Sequence, residues 1–178
     1  MKEKKIAIIG GGNLGTAIAE GLISSGEVLP AALTVTRRRV EMLQKLKNLG
    51  IHVSSDNLKA VQDANLVILA VKPYQIMEIL RQIKPVLRAD KVLISLVAGI
   101  DLKEITEVTG NGIPVFRAMP NTAIAIRESM TLISTNGGDE GSKKLVVELF
   151  EKMGHTTVLN SPHTLEGYVC IPSVTAWD

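Results

Sequence analysis

The sequence has few aromatic side chains and little net charge, and each shortage excludes a class of partner. Phe, Trp and Tyr make up 3% of the 178 residues, too few for the aromatic platforms on which single-stranded nucleic acids stack. The formal net charge is +2, so the composition predicts neither a nucleic-acid footprint nor a polybasic membrane patch. No apolar stretch reaches the roughly 18 residues that suggest a membrane span.

Cysteine and histidine are also scarce. Cys170 is the only cysteine, so no intrachain disulfide can form and a reducing compartment is predicted. The N-terminus carries no signal-peptide pattern, which together with the single cysteine predicts a cytoplasmic protein. His52, His155 and His163 are scattered, without the spacing of a metal site or a catalytic dyad. We therefore predict no metal ion and assign no catalytic side chain.

A glycine-rich motif stands out near the N-terminus. Gly10, Gly12 and Gly15 form a G-x-G-x-x-G pattern between the apolar run 5–9 and a helical stretch. In a dinucleotide-binding turn the first glycine allows a sharp turn and the second lets a pyrophosphate approach the backbone. The third lets the following helix pack closely on the sheet. The alternative is a purely structural turn, but the strand-turn-helix context favours dinucleotide binding.

The next predicted strand indicates which dinucleotide. An NAD-binding chain carries an acid for the ribose 2′-OH about 20 residues beyond the motif. This chain has no acid there and reads Thr36, Arg37, Arg38, Arg39. A guanidinium group binds a phosphate through two parallel charge-assisted hydrogen bonds. We predict NADP(H) as the cofactor, with NAD(H) bound at lower affinity; the alternative is that the arginines are solvated residues opening a helix.

Short apolar runs alternate with helical stretches along most of the chain, which is the pattern of repeated βαβ units. The run 66–71 shows no polar alternation, as expected of a central strand covered on both faces. The predicted fold class is α/β, a doubly wound, mostly parallel sheet of the Rossmann type, with its ligand crevice at the carboxyl ends of the strands. Strands are predicted over 5–9, 33–36, 52–54, 66–71, 91–96, 114–117, 129–134 and 156–159, and helices over 13–25, 39–49, 58–62, 74–83, 102–108 and 139–153.

Three later strand ends carry residues that suit such a crevice. Pro73 follows Lys72 directly after the central strand, and because proline cannot continue the ladder the chain must leave the sheet there. The stretch 95–100 ends a second strand with small residues, which allow a flat ring to approach the backbone. The stretch 117–122, Arg-Ala-Met-Pro-Asn-Thr, ends a third. The alternative for Lys72-Pro73 is a simple strand stop, but the three strand ends together predict one site.

Taken together, these motifs resemble the Δ1-pyrroline-5-carboxylate reductase family over about residues 4–160. By this resemblance, residues 9–14 hold the pyrophosphate, Thr36 and Arg37 hold the 2′-phosphate, and Asn57 lies near the adenosine. The strand ends at 70–73 and 97–98 line the ribose and the nicotinamide. The implied cofactor-binding residues are Ile9, Gly10, Gly11, Gly12, Asn13, Leu14, Thr36, Arg37, Arg38, Asn57, Ala70, Val71, Lys72, Pro73, Val97 and Ala98, and the substrate-side loop is Met119, Pro120 and Asn121.

The resemblance also implies an activity. The family reduces the C=N bond of pyrroline-5-carboxylate to proline with hydride from NAD(P)H, a step of proline biosynthesis. Its members are homo-oligomers in which a helical domain with the substrate loop follows the nucleotide-binding domain. We therefore expect an NADP-binding domain over residues 1–160, and an atypical tail over 161–178 in place of the helical domain.

Three functional interpretations are open at this point. The first is a pyrroline-5-carboxylate reductase polypeptide, cut short, that acts on a small-molecule substrate. The second is a related NADP reductase, such as a coenzyme F420-dependent type. The third is a stand-alone NADPH-binding module without turnover, a possibility that the unmatched tail 161–178 supports.

Overall fold

The computed structural model describes residues 4–135 and 137–159, and these form one sheet with helices on both faces. The strand order is β3-β2-β1-β4-β5-β6-β7-β8. The strands are β1 (Ile6–Ile9), β2 (Leu33–Thr36), β3 (His52–Ser54), β4 (Leu66–Leu69), β5 (Val92–Ser95), β6 (Val115–Met119), β7 (Ser129–Thr135) and β8 (Gly154–Val158). The helices are α1 (Asn13–Ser24), α2 (Gln44–Asn48), α3 (Asn57–Asp63), α4 (Ile76–Ile83), α5 (Leu102–Thr109) and α6 (Glu140–Glu151).

The predicted fold class is confirmed. Strands β1 to β6 pair in parallel, in the 3-2-1-4-5-6 order of doubly wound dinucleotide-binding sheets. The pairing of β7 with β6 is antiparallel, and β8 then pairs in parallel with β7. Because β7 runs the other way, its first residues lie beside the carboxyl end of β6.

Two apolar layers cover the faces of the sheet, as the unbroken apolar strands require. In β1, Ile6 and Ile8 point into one buried cluster, which includes residues of α1 and α6. Ala7 and Ile9 point into the other, which includes residues of α3, α4 and α5. Since alternate residues of a strand face opposite ways, a strand with helices on both sides must be apolar throughout.

The main departure from the predicted elements lies after β2. A single helix is predicted over 39–49, but the chain first forms a 3-10 turn over Val40–Leu43 and only then the short α2. The tighter turn accompanies the burial of Leu43 against the glycine loop, where a Cβ on Gly11 would lie 2.6 Å from a Leu43 methyl group. Tertiary packing here overrides helical periodicity.

A buried lysine ties α3 to the start of β5. Lys91 is 5% exposed, and its Nζ donates to the carbonyl oxygens of Gln62 at 3.0 Å and Ala64 at 2.6 Å. These carbonyls lie at the C-terminus of α3, where the helix leaves acceptors unpaired and its dipole favours a cation.

Within residues 4–135 and 137–159, no helix combines the length and the apolar character needed to cross a membrane. The tail predicted over 161–178, together with His163 and Cys170, lies outside the described residues.

Candidate dinucleotide-binding site

The predicted cofactor-binding segments meet at one edge of the sheet. Strands β1, β2, β4, β5 and β6 pair in parallel, so their carboxyl ends share that edge. The segments 10–14, 37–38, 70–73 and 120–121 directly follow four of these strands, and 97–98 begins two residues after the end of β5. Such an edge, at the point where the strand order reverses from β1, is where open α/β sheets bind ligands.

The glycine loop is held in shape by the end of β2. Gly10 has a φ of 107°, in the region that L side chains rarely adopt. The amide groups of Gly10 and Gly11 both donate to the Thr36 carbonyl oxygen, at 3.1 and 2.7 Å. A Cβ on Gly15 would collide with the Gly10 carbonyl oxygen, so α1 can pack this close to the loop only with glycine there.

The start of α1 is open. Gly12 is the N-cap, it makes no capping hydrogen bond through a side chain, and a Cβ placed on it would meet no described atom within 4 Å. The first helical bond runs from the Thr16 amide to the Gly12 carbonyl oxygen at 2.9 Å. The amides of Asn13, Leu14 and Gly15 therefore precede the bonded part of the helix and point, with its positive dipole end, toward the edge. This arrangement fits a pyrophosphate.

Arg37 lies against the same loop. Its side chain is half-buried, and Nη1 donates to the Gly11 carbonyl oxygen at 2.7 Å, while its backbone amide donates to the Ser54 carbonyl oxygen at 3.0 Å. Arg38 is exposed. Over the described part of the chain, no carboxylate forms an ion pair with Arg37 or Arg38. Both guanidinium groups are thus available to an anion beside the glycine loop.

A chain of hydrogen bonds links three elements behind Arg37. The Thr36 hydroxyl, on a residue that is 1% exposed, donates to Oδ1 of Asn57 at 2.7 Å. Nδ2 of Asn57 donates in turn to Oε1 of Gln82 at 3.0 Å. Thr36 ends β2, Asn57 begins α3 and Gln82 lies in α4. The Thr36 proton is therefore engaged by Asn57, and Gln82 belongs to a hydrogen-bonded chain that the sequence did not predict.

The Lys72-Pro73 segment leaves the sheet as predicted for a strand end. The Ala70 amide makes the last bond of the ladder, to the Ile9 carbonyl oxygen at 2.8 Å. Pro73 then opens a 3-10 turn whose Gln75 side chain accepts from the Lys72 amide at 3.3 Å. Val71 is half-buried and Lys72 is exposed, so the segment borders the glycine loop with one apolar and one charged side chain.

The ends of β5 and β6 border the other half of the crevice. Val97 is 4% exposed and packs into the apolar layer of α3, α4 and α5, whereas Ala98 is exposed. Met119, Pro120 and Asn121 are half-buried. The side-chain Oδ1 of Asn121 accepts from the Ala123 backbone amide at 3.1 Å. The backbone amide of Asn121 donates to the Ser129 hydroxyl at 3.2 Å. The Asn121 side chain therefore caps its own loop.

The histidines of the described residues lie away from this edge and do not form a metal site. Among the described residues, no group of three or more His, Cys, Asp or Glu side chains could hold a metal ion. His52 begins β3, at the amino edge of the parallel strands, and His155 is exposed on β8.

The fold and the open, glycine-lined helix start define this chain as a Rossmann-type dinucleotide-binding domain. Residues 5–99 match the family described as NADP oxidoreductase coenzyme F420-dependent, and the chain belongs to that family.

Similar proteins confirm the resemblance to pyrroline-5-carboxylate reductases. The chain is 40% identical over 148 residues to pyrroline-5-carboxylate reductase 2 of Dictyostelium discoideum, an alignment covering 82% of this chain and 49% of that protein. A solved pyrroline-5-carboxylate reductase from Coxiella burnetii superposes with a TM-score of 0.89 at 31% identity, covering 95% of this chain and 63% of the other. The Plasmodium falciparum pyrroline carboxylate reductase, solved with NADP bound, gives a TM-score of 0.88 at 24% identity, over 97% of this chain and 63% of that one. The chain thus spans about half the length of the Dictyostelium relative.

Proposed function

We propose that this domain binds NADP(H) for an enzyme that reduces 1-pyrroline-5-carboxylate to proline. The observation that carries the cofactor assignment is the pairing of an open glycine-lined helix start with Arg37, whose guanidinium bonds to the Gly11 carbonyl oxygen at 2.7 Å. The helix start suits the pyrophosphate, and the Arg37 guanidinium suits a 2′-phosphate. Together they match the two anionic groups of NADPH.

Each strand end receives one part of the cofactor in this proposal. The amides that follow Gly12 hold the pyrophosphate, and Arg37 with Arg38 holds the 2′-phosphate. Thr36 is assigned to holding Asn57, which lies at the adenosine, because its hydroxyl proton is already donated to that side chain. Residues 70–73 and 97–98 line the ribose and the nicotinamide.

The chemistry asks little of protein side chains. When bound, NADPH supplies a hydride to the carbon of the C=N bond while the ring nitrogen keeps its proton, giving proline and NADP⁺. A protonated cyclic imine is already a good hydride acceptor, so catalysis rests on orientation and on the exclusion of water. The loop of Met119, Pro120 and Asn121 is assigned to the substrate side, since it follows β6 next to the end of β5.

The first test measures binding and turnover on the same chain. Titration of the purified protein into NADPH, followed by nicotinamide fluorescence, should show saturable binding, and competition with NADH should show weaker binding of the cofactor without the 2′-phosphate. Pyrroline-5-carboxylate-dependent loss of NADPH absorbance tests turnover. No binding of NADPH contradicts the whole proposal. Binding without turnover supports a cofactor-binding module and contradicts the reductase activity of this chain.

A second candidate is reduction of NADP⁺ with coenzyme F420, which the name of the matching family favours. That match ends at residue 99, whereas the alignment with the Dictyostelium reductase covers 148 residues. The longer alignment favours pyrroline-5-carboxylate. Offering reduced coenzyme F420 with NADP⁺ to the same protein distinguishes the two, because only an F420-dependent enzyme would form NADPH.

Residues 4–159 are proposed to act as the cofactor-binding unit. The cytoplasmic location inferred from the single cysteine stays a prediction. Homo-oligomers are expected of the family's members, and no oligomeric state is assigned to this chain. Sedimentation of the purified chain with and without NADPH would test the oligomeric state directly.

A further inference from the structure

The hydrogen-bonded chain behind Arg37 contains a residue with no assigned role. Gln82 accepts the hydrogen bond from Asn57 Nδ2 at 3.0 Å, and the Thr36 hydroxyl holds the other end of the same amide at 2.7 Å. We propose that Gln82 is a positioning residue for the adenosine end of the cofactor, acting through Asn57. This inference rests on the proposed binding of NADP(H).

The terminal amide of Asn57 would be free to rotate without its hydrogen-bond partners. Asn57 begins α3 and is half-buried, so packing alone does not fix the rotation of its terminal amide, which is a broad, roughly two-fold torsion. One anchor at Oδ1 leaves the amide free to swing about that bond. A second anchor on the opposite end of the amide removes this freedom.

The two anchors belong to different parts of the fold. Thr36 is buried at the end of β2, whereas Gln82 lies on the exposed side of α4. The Asn57 amide is therefore held between the sheet and a helix that packs on it. An orientation fixed before binding spares the ligand the cost of ordering the side chain.

The arrangement also determines what Asn57 offers a ligand. An amide nitrogen carries two hydrogens, and Gln82 takes one of them. Among the described residues no group accepts the other, so one donor points away from Gln82 at the edge of the site. The adenosine end of the cofactor carries acceptors on the ribose, the base and the 2′-phosphate. Gln82 thus holds a single donor in position for one of them.

The test uses adenosine 2′,5′-bisphosphate, which contains only the adenosine end of NADPH. Gln82→Met keeps the length of the side chain and removes the acceptor, and it should raise the Kd about threefold to tenfold, the loss of one positioned hydrogen bond. Gln44→Met is the matched control. Gln44 donates to Asn48 at 2.8 Å on α2, so this variant removes the same kind of amide pair outside the chain that holds Asn57.

A double variant separates positioning from a general structural effect. If Gln82 acts through Asn57, Asn57→Ala combined with Gln82→Met should bind no more weakly than Asn57→Ala alone, since interacting residues are non-additive. The urea midpoint of Gln82→Met should equal that of Gln44→Met.

Three outcomes would overturn an assignment. Wild-type affinity in Gln82→Met, or losses that add in the double variant, would overturn the role of Gln82. If the unaltered chain binds neither adenosine 2′,5′-bisphosphate nor NADPH, the proposed function itself fails, and with it the inference. Binding of both by the unaltered chain keeps the proposed assignment of NADP(H) as cofactor, whatever the variants do.

Discussion

Helices α1 and α5 begin in opposite ways, although both follow a strand of the same parallel sheet. Asp101 caps α5, where it accepts from the Glu104 amide at 2.7 Å while the Glu104 carboxylate accepts from the Asp101 amide at 2.9 Å. Gly12 caps α1 without any such bond from a described side chain. Two backbone amides at the start of α5 are thus satisfied by side chains of the helix start itself, whereas the first amides of α1 have no such partner and stay available to an anion.

The difference shows that a helix start can be kept open for a ligand with only a small loss of stability. A glycine N-cap is only a few tenths of a kcal/mol less stable than Asp or Ser. In the proposed function, the amides that it leaves at the start of α1 bind a phosphate through several charge-assisted bonds, each expected to contribute about 1.5–3 kcal/mol. A small loss of helix stability therefore permits a much larger gain on binding.

The most direct test of this difference is to give α1 an acidic N-cap like that of α5. Gly12→Asp meets no steric obstacle, since a Cβ there has open space and the φ of −83° suits any residue. A carboxylate about 4 Å from the pyrophosphate costs on the order of 4 kcal/mol, so NADPH affinity should fall at least about a hundredfold. The urea midpoint should stay equal or rise.

Gly112→Asp is the control for that variant. Gly112 also has open space around its Cβ position, and it precedes the amino end of β6, at the opposite edge of the sheet. It should bind NADPH as the unaltered chain does. Undiminished binding by Gly12→Asp would show that the start of α1 does not hold the pyrophosphate.

The next largest effect is expected at Arg37, which lies against the same glycine loop. Arg37→Asp replaces a guanidinium on the Gly11 carbonyl with a negative charge, and it should weaken NADPH about tenfold to a hundredfold. NADH affinity should change much less. Titrations of both cofactors measure the ratio, with Arg88→Asp, at the amino end of β5, as a charge-matched control. Equal losses for the two cofactors would contradict the 2′-phosphate assignment.

The converse change removes the side-chain N-cap of α5, so that its start resembles that of α1. Asp101→Ala removes the carboxylate that accepts from the Glu104 amide, and it should lower the free energy of unfolding by about 1 kcal/mol, with NADPH affinity unchanged. Urea denaturation followed by circular dichroism measures the first, and fluorescence titration the second. Asp90→Ala removes an exposed acid from the loop ahead of β5 and should leave stability the same; a similar loss in that variant would contradict the capping explanation.

The smallest expected effect concerns the N-cap of α6, which is an aspartate like that of α5. Hydrogen bonds from the backbone amide and the hydroxyl of Ser142 hold the pKa of the Asp139 N-cap carboxyl below its ordinary value. A lowered folded pKa contributes stability that is complete above the unfolded pKa, about 4, and is lost as the pH falls through the folded value. Asn also caps helices but does not titrate. The stability difference between the unaltered chain and Asp139→Asn should therefore shrink in urea titrations below about pH 4; a constant difference would contradict it.

Most of the fold was predictable because its signals are local. The bounds of β2 and β3 match the predicted 33–36 and 52–54, and α1 ends within one residue of the predicted 25. The strand predicted over 66–71 stops at Leu69, because Ala70 makes the last ladder bond before the chain turns outward. Apolar runs mark strands well, but they continue past the point where the ladder stops.

The glycine loop and the arginines after β2 were predictable for the same reason, since each consists of consecutive residues. The chain from Thr36 through Asn57 to Gln82 joins residues 21 and 25 positions apart. Neither spacing belongs to a helix or a strand pattern, and an exposed glutamine carries no signal of its own. Only the packing of α3 and α4 brings these side chains together.

Lys91 couples the helix that carries Asn57 to the central strands. Its buried Nζ joins the C-terminus of α3 to the start of β5, so detachment of α3 from the sheet would break both of these hydrogen bonds. The helix that presents Asn57 should therefore open only when the central strands open. Slow amide hydrogen exchange in α3, matching that of β5, is the expected sign of one cooperative unit.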